Sequence, residues 1–106
     1  MIKKITLALI LLVNLIFNVS AEKVNFFDDA KNLYENEKYE DSKFLFQRNI
    51  VYNPKDSKSY LYLAKIFKNE ENKTELEKNI NTVLLLEPNN AEAMYLLLEI
   101  ELERTN

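Results

Sequence analysis

Glycine, cysteine and histidine are absent from this chain, and proline occurs only at Pro54 and Pro88. Each gap removes a class of chemistry. Without cysteine there is no disulfide framework, thiolate metal site or thiol nucleophile. Without histidine, the commonest metal ligand and general base is missing. Without glycine, phosphate-cradling loops and dinucleotide fingerprints, whose backbone must approach the ligand closely, are excluded. So few turn residues imply few sharp turns and a mostly helical chain. The hydroxyls that remain, among them Ser42, Ser57, Ser59 and Thr74, have no imidazole to activate them. The neighbouring acids Asp28 with Asp29, and Glu70 with Glu71, fall at expected helix starts and turns, ordinary places for solvated carboxylates. No acidic cluster has calcium-loop spacing. The expectation is a protein that is not an enzyme and holds no cofactor and no metal.

A strong charge of either sign is lacking too. The formal charge is −3 over 106 residues, enough chain for one small domain. That mild acidic excess argues against nucleic acid as a ligand, because phosphate binding relies on clustered lysine and arginine. Two of the basic residues, Lys3 and Lys4, belong to a segment of different character. They precede an apolar run from Ile5 to Phe17, broken only by Thr6 and Asn14, and Val19 and Ala21 stand at the small-residue cleavage offsets. Residues 1–21 therefore read as a secretory signal peptide, leaving residues 22–106 as the mature domain. The rival is an uncleaved anchor at a membrane surface. The 13-residue run is shorter than the roughly 20 a spanning helix needs. Cleavage would take the formal charge from −3 to −5 and place the protein in the periplasm or outside a bacterial cell.

What is abundant is periodic. The stretch KYEDSKFLFQRNIVYNP, Lys38–Pro54, returns in altered form 34 residues later as NKTELEKNINTVLLLEP, Asn72–Pro88. Ahead of each lies a second matching segment, Phe26–Leu33 and Tyr60–Phe67. The apolar spacing predicts helices over 23–36, 39–52, 57–67, 74–86 and 91–104. Asn53-Pro54 and Glu87-Pro88 stop two of them, since the residue before proline is pushed out of the helical region. Asp56 or Ser57, and Asn89 or Asn90, are available as caps.

A two-part unit at this period resembles the tetratricopeptide repeat, a 34-residue helical hairpin. Phe26, Tyr60 and Met94 stand at its early large apolar position. Ala30 and Ala64 take the small position one turn later, and Leu33 and Phe67 the apolar position after that. In the second helix Tyr39, Ser42 and Phe46 match the aromatic, small and bulky places, with Pro54 as the closing proline. Ile80 and Pro88 fit in the second unit, where Lys73 and Leu76 depart. The hairpin glycines are replaced by Glu37 and Glu71, and Asn49 and Val83 stand where a small residue is usual. The resemblance implies an all-α stack of antiparallel hairpins, an α-solenoid of five helices: repeat 1 over 23–56, repeat 2 over 57–90, and a half-repeat or capping helix over 91–104.

The resemblance also implies where a partner would sit. The family lines a concave groove with one face of each first helix. The matching positions are Phe27, Lys31 and Tyr34, then Leu61, Lys65 and Lys68, then Tyr95. Rings mixed with lysines suit an acidic peptide, although lysine on a helix face is more often simply solvated. The family's carboxylate clamp is not implied, because Lys31 and Lys65 replace its asparagine.

The fifth helix, AEAMYLLLEIELER, offers a second surface. Met94, Leu97 and Leu98 continue the repeat's inner face, with Leu98 at the position of Ala30 and Ala64. Leu96, Ile100 and Leu102 spread apolar surface further round than one small stack can bury. Either the helix is a plain cap, or Leu96, Leu98, Ile100 and Leu102 mark a face for a partner or a second copy. Function then reads as non-covalent docking to another protein or peptide, as an adaptor or assembly factor of the cell envelope. The alternative is a structural subunit that self-associates through the fifth helix.

Overall fold

A computed structural model describes Thr6 and residues 23–106. The signal-peptide reading of Met1–Ala21 lies, Thr6 apart, outside the described residues. The domain is all-helical. Its five helices are α1 Phe27–Glu35, α2 Tyr39–Tyr52, α3 Ser57–Asn69, α4 Lys73–Leu86 and α5 Ala91–Thr105. Among the described residues there is no strand, and no helix is long and apolar enough to cross a membrane.

α1 begins at Phe27, four residues later than its apolar spacing predicts. The preceding segment is drawn onto the end of α2 instead. The backbone N–H of Phe26 donates to Asn49 Oδ1 at 2.8 Å, and Asn53 Nδ2 donates to the Val24 carbonyl at 2.8 Å. Those bonds satisfy groups that a longer helix would have satisfied internally. Of the expected caps, Asn90 is the one used for α5, its Oδ1 accepting from the Ala93 N–H at 2.9 Å. Asn72, expected as part of a turn, caps α4 in the same way through the Glu75 N–H.

The two tight turns are closed without glycine. Glu37 and Glu71 hold φ of 61° and 59°, the left-handed region. Lys38 N–H donates to the Leu33 carbonyl and Glu37 N–H to the Tyr34 carbonyl, and Asn72 and Glu71 repeat this pattern onto Phe67 and Lys68. This is the Schellman ending, which satisfies the last carbonyls of a helix and is ordinarily built on glycine. A non-glycine residue there costs about 1–2 kcal/mol. Replacing Glu71 with Gly should therefore raise stability by about 0.5–1 kcal/mol, after the greater freedom glycine has in the unfolded chain is subtracted. Urea unfolding followed by circular dichroism measures it, and Glu37→Gly should match.

The backbone recurs at the period seen in the sequence. Asn53 (φ −129°, ψ 71°) corresponds to Glu87 (φ −134°, ψ 85°), and Asp56 (−78°, 90°) to Asn90 (−67°, 107°). Each helix packs on its predecessor in chain order. The core runs through the stack as Ala30, Phe46, Leu63, Ala64, Ile66, Phe67, Leu76, Ile80, Val83, Ala93, Leu96 and Ile100. Where α2 crosses α1, buried Ser42 donates to the carbonyl of buried Ala30 at 2.8 Å. Small residues on both sides allow that approach.

One buried knot is polar. Asn49 is fully buried at the end of α2. Its Oδ1 accepts from Phe26 N–H and, at 3.1 Å, from Asn53 Nδ2. Its Nδ2 donates to Asp56 Oδ2 at 3.1 Å and to Ser59 Oγ at 2.9 Å. Ser59 Oγ in turn donates to Asp56 Oδ2 at 2.7 Å. All four bonding places of the Asn49 amide are filled, joining the start of α1, the end of α2 and the start of α3.

Candidate functional site

Two surfaces emerge from the sequence, and the structure treats them differently. The first is the set Phe27, Lys31, Tyr34, Leu61, Lys65, Lys68 and Tyr95. Phe27 and Tyr34 are half-buried in a ring cluster centred on Tyr62 of α3. Tyr62 stacks on Phe46 at 5.0 Å between centroids and meets Phe27 and Tyr34 edge-on at 5.8 and 5.1 Å. Such pairings contribute beyond the area they bury. Leu61 is half-buried against the core. These three therefore serve the packing between hairpins. Tyr62 escaped the sequence reading because its position falls between the matched ones. Helical geometry could have placed it opposite α1, since it lies one turn from Ile66 and one from Ser59.

The lysines are engaged as well. Lys65 Nζ lies 2.5 Å from Glu92 and over the Tyr62 ring, and Lys68 Nζ lies 2.7 Å from Glu99. Lys31 stands 3.9 Å from Glu35 on its own helix. The two α3 lysines thus tie α3 to α5. Burial raises the Tyr34 hydroxyl pKa, against an opposing pull from Lys65.

The second surface is α5. Sequence spacing places Met94, Leu97 and Leu98 on its inner face; Leu97 does pack half-buried against the core, but Met94 and Leu98 face outward. Ala93, Leu96 and Ile100 face the core, the latter two each 7% exposed. Leu96 and Ile100 thus belong to the interior, and the outward apolar residues are Met94 (54%), Tyr95 (61%), Leu98 (55%) and Leu102 (55%). With Ala91, Leu97 and Glu101, three of these four, Met94, Tyr95 and Leu98, line an open apolar depression. The reason is register. Thirty-four residues earlier, Ala93, Leu96 and Ile100 become Ser59, Tyr62 and Ile66, the side of α3 that packs onto the preceding hairpin. Met94, Leu98 and Glu101 become Tyr60, Ala64 and Phe67, of which Ala64 and Phe67 are buried. The two positions that Ala64 and Phe67 bury on α3 are exposed on α5, as Leu98 and Glu101.

The opposite end is finished differently. On α1 and the segment before it, the counterparts of Ser59, Tyr62 and Ile66 are Asn25, Asp28 and Asn32, all exposed. Among the described residues, these three positions are polar at the first end and apolar at the α5 end.

Every glutamate of α5 has a cation beside it. Glu92 meets Lys65, Glu99 meets Lys68, Glu101 meets Arg104 at 2.8 Å, and Glu103 meets Lys73 at 3.2 Å. Arg104 also reaches Glu77 on α4. Single exposed pairs of this kind contribute little to stability, but they offset the negative charge of α5. They also set a pH response. Lys68 and Tyr95 hydrogen-bond to Glu99 and hold its carboxyl below its ordinary value of 4.5, and Ser57 and Asn90 do so for Glu87. Glu70 and Glu99 raise Lys43 and Lys68 above 10.5. Depressed carboxylates give stability above about pH 4.5 that is lost as pH falls through the folded value. Raised lysines give stability lost as pH rises through theirs, above 10.5. The urea midpoint should be flat from about pH 5 to 10 and fall on the acid side, and Glu87→Gln should shallow that acid limb.

No protein-family model matches the chain, and no curated protein matches it in sequence.

Proposed function

We propose that this protein is a non-catalytic docking module, an exported tetratricopeptide-like stack that binds a protein partner through the outer face of α5. One observation carries the reading: Met94, Tyr95, Leu98 and Leu102 are each more than half exposed on one helix face, where the α3 counterparts of the first three, Tyr60, Leu61 and Ala64, are half-buried or buried. A contiguous apolar patch on a small domain marks an interaction site more often than chance exposure does. The repeat assignment is supported by the 34-residue recurrence of sequence and backbone torsions, and by Ala30 and Ala64, both buried at the small position. Export to the cell envelope rests on the leader-like pattern of residues 1–21. The groove residues are secondary, because Lys65 and Lys68 already have carboxylate partners.

In-cell photo-crosslinking tests the reading. A photoreactive amino acid at Leu98 or Leu102 of the full-length chain should yield a discrete protein adduct, while one at exposed Leu85 on α4 should not. Equal labelling from all three positions, or none from α5, would overturn it.

A further inference from the structure

The docking reading leaves the occupant open, and the two ends of the stack narrow it. Stacking head to tail would place the α1 end of one molecule on the α5 end of the next. The α1 end presents Asn25, Asp28 and Asn32, which offer no apolar surface to the leucines of α5. An open-ended chain of copies is therefore disfavoured, and a closed two-fold contact, in which the same patch meets itself, remains.

α5 suits that contact in three respects. Its outward residues are spaced symmetrically about Leu98: Met94 and Leu102 lie four residues to either side, Tyr95 and Glu101 three, Ala91 and Thr105 seven. In an antiparallel pairing centred on Leu98, Met94 meets Leu102 of the other copy and Tyr95 meets Glu101. Secondly, the four α5 glutamates are already neutralised by Lys65, Lys68, Arg104 and Lys73. Two acidic copies can approach without the like-charge penalty that unpaired carboxylates would impose. A basic partner would find none of them free. Thirdly, a 15-residue helix is about 22 Å long, so one helix pair buries less than the roughly 800 Å² per partner of a standard interface. A contact of that size belongs with the smaller, transient interfaces.

We infer that the partner at this face is a second copy of the chain, joined through an antiparallel, two-fold α5–α5 contact centred on Leu98. This deepens the docking reading and rests on it.

The absence of cysteine makes the test clean. In the full-length chain, Leu98→Cys should form a disulfide-linked dimer under mild oxidation, because the two copies of residue 98 face each other. Leu102→Cys alone should give several-fold less, its two copies lying about 12 Å apart along the axis. Met94→Cys combined with Leu102→Cys should restore the dimer. Sedimentation of the cysteine-free protein should show a concentration-dependent monomer–dimer equilibrium, weakened at least about tenfold by Leu98→Glu with helicity unchanged. Equal crosslinking at 98 and 102 would overturn the antiparallel register. A folded Leu98→Cys protein that stays monomeric, with cysteine-free protein that sediments as monomer at all concentrations, would overturn self-association. If photo-crosslinking from Leu98 still captured another protein, the docking reading would survive that failure.

Discussion

Asn49→Ala is expected to destabilise the domain by about 3–4 kcal/mol, a large share of the total for a chain of this size. The amide fills four hydrogen bonds in a fully buried position. Removing it strands the Phe26 N–H and takes a donor from the Asp56 carboxylate. Each buried polar group left without a partner costs about 1–3 kcal/mol. Ser59 still donates to Asp56, which limits the loss. The second hairpin supplies the control. Val83 occupies the equivalent place there and is fully buried among apolar neighbours. Asn49→Val, which copies that solution, should therefore fail almost as badly as alanine, since the surrounding groups are polar. Thermal unfolding would fall by 12 °C or more, at roughly 4–8 °C per kcal/mol. A loss under 1 kcal/mol would show that water replaces the amide and that the knot is dispensable.

The second large effect is expected at Phe46. Its ring is fully buried, stacks on Tyr62 and meets Phe27 edge-on. Phe46→Ala removes the side chain on which both first helices close, at a cost of about 3–5 kcal/mol. Phe46→Leu keeps most of the volume and should cost about half as much. Near-ultraviolet circular dichroism gives a further readout, because the Tyr62 environment changes with the stack. The alanine variant should also loosen Tyr34, which leans on the same ring.

The helices were legible in the sequence because their signals are local. Apolar spacing, the two prolines and the cap residues placed α2 and α5 to within a residue, and α4 began one residue early, at Lys73, under the cap of Asn72. The start of α1 was not legible. It is set by Asn49 and Asn53, more than twenty residues away, which take hold of the segment before Phe27. The same limit explains α5. Both of its sides are apolar, so spacing alone could not say which faces inward. The decision falls to Ala93, Leu96 and Ile100, which match the inter-hairpin side of α3. Leu98 and Leu102 stand outward, whereas Leu96 and Ile100 belong to the core. The lysines of the expected groove could not be judged from composition, because their partners Glu92 and Glu99 lie on a different helix.

The account turns on whether the outer face of α5 is covered where the protein works. Hydroxyl-radical labelling followed by mass spectrometry measures this directly at Met94 and Tyr95, both readily oxidised and more than half exposed in the isolated fold. Labelling inside cells should be several-fold lower at these two residues than in dilute purified protein. Tyr52 and Phe44, exposed on α2, should label alike in both. Equal labelling of Met94 and Tyr95 in the two conditions would show an α5 face open to solvent in the cell, and would contradict the assignment of that face as a docking surface.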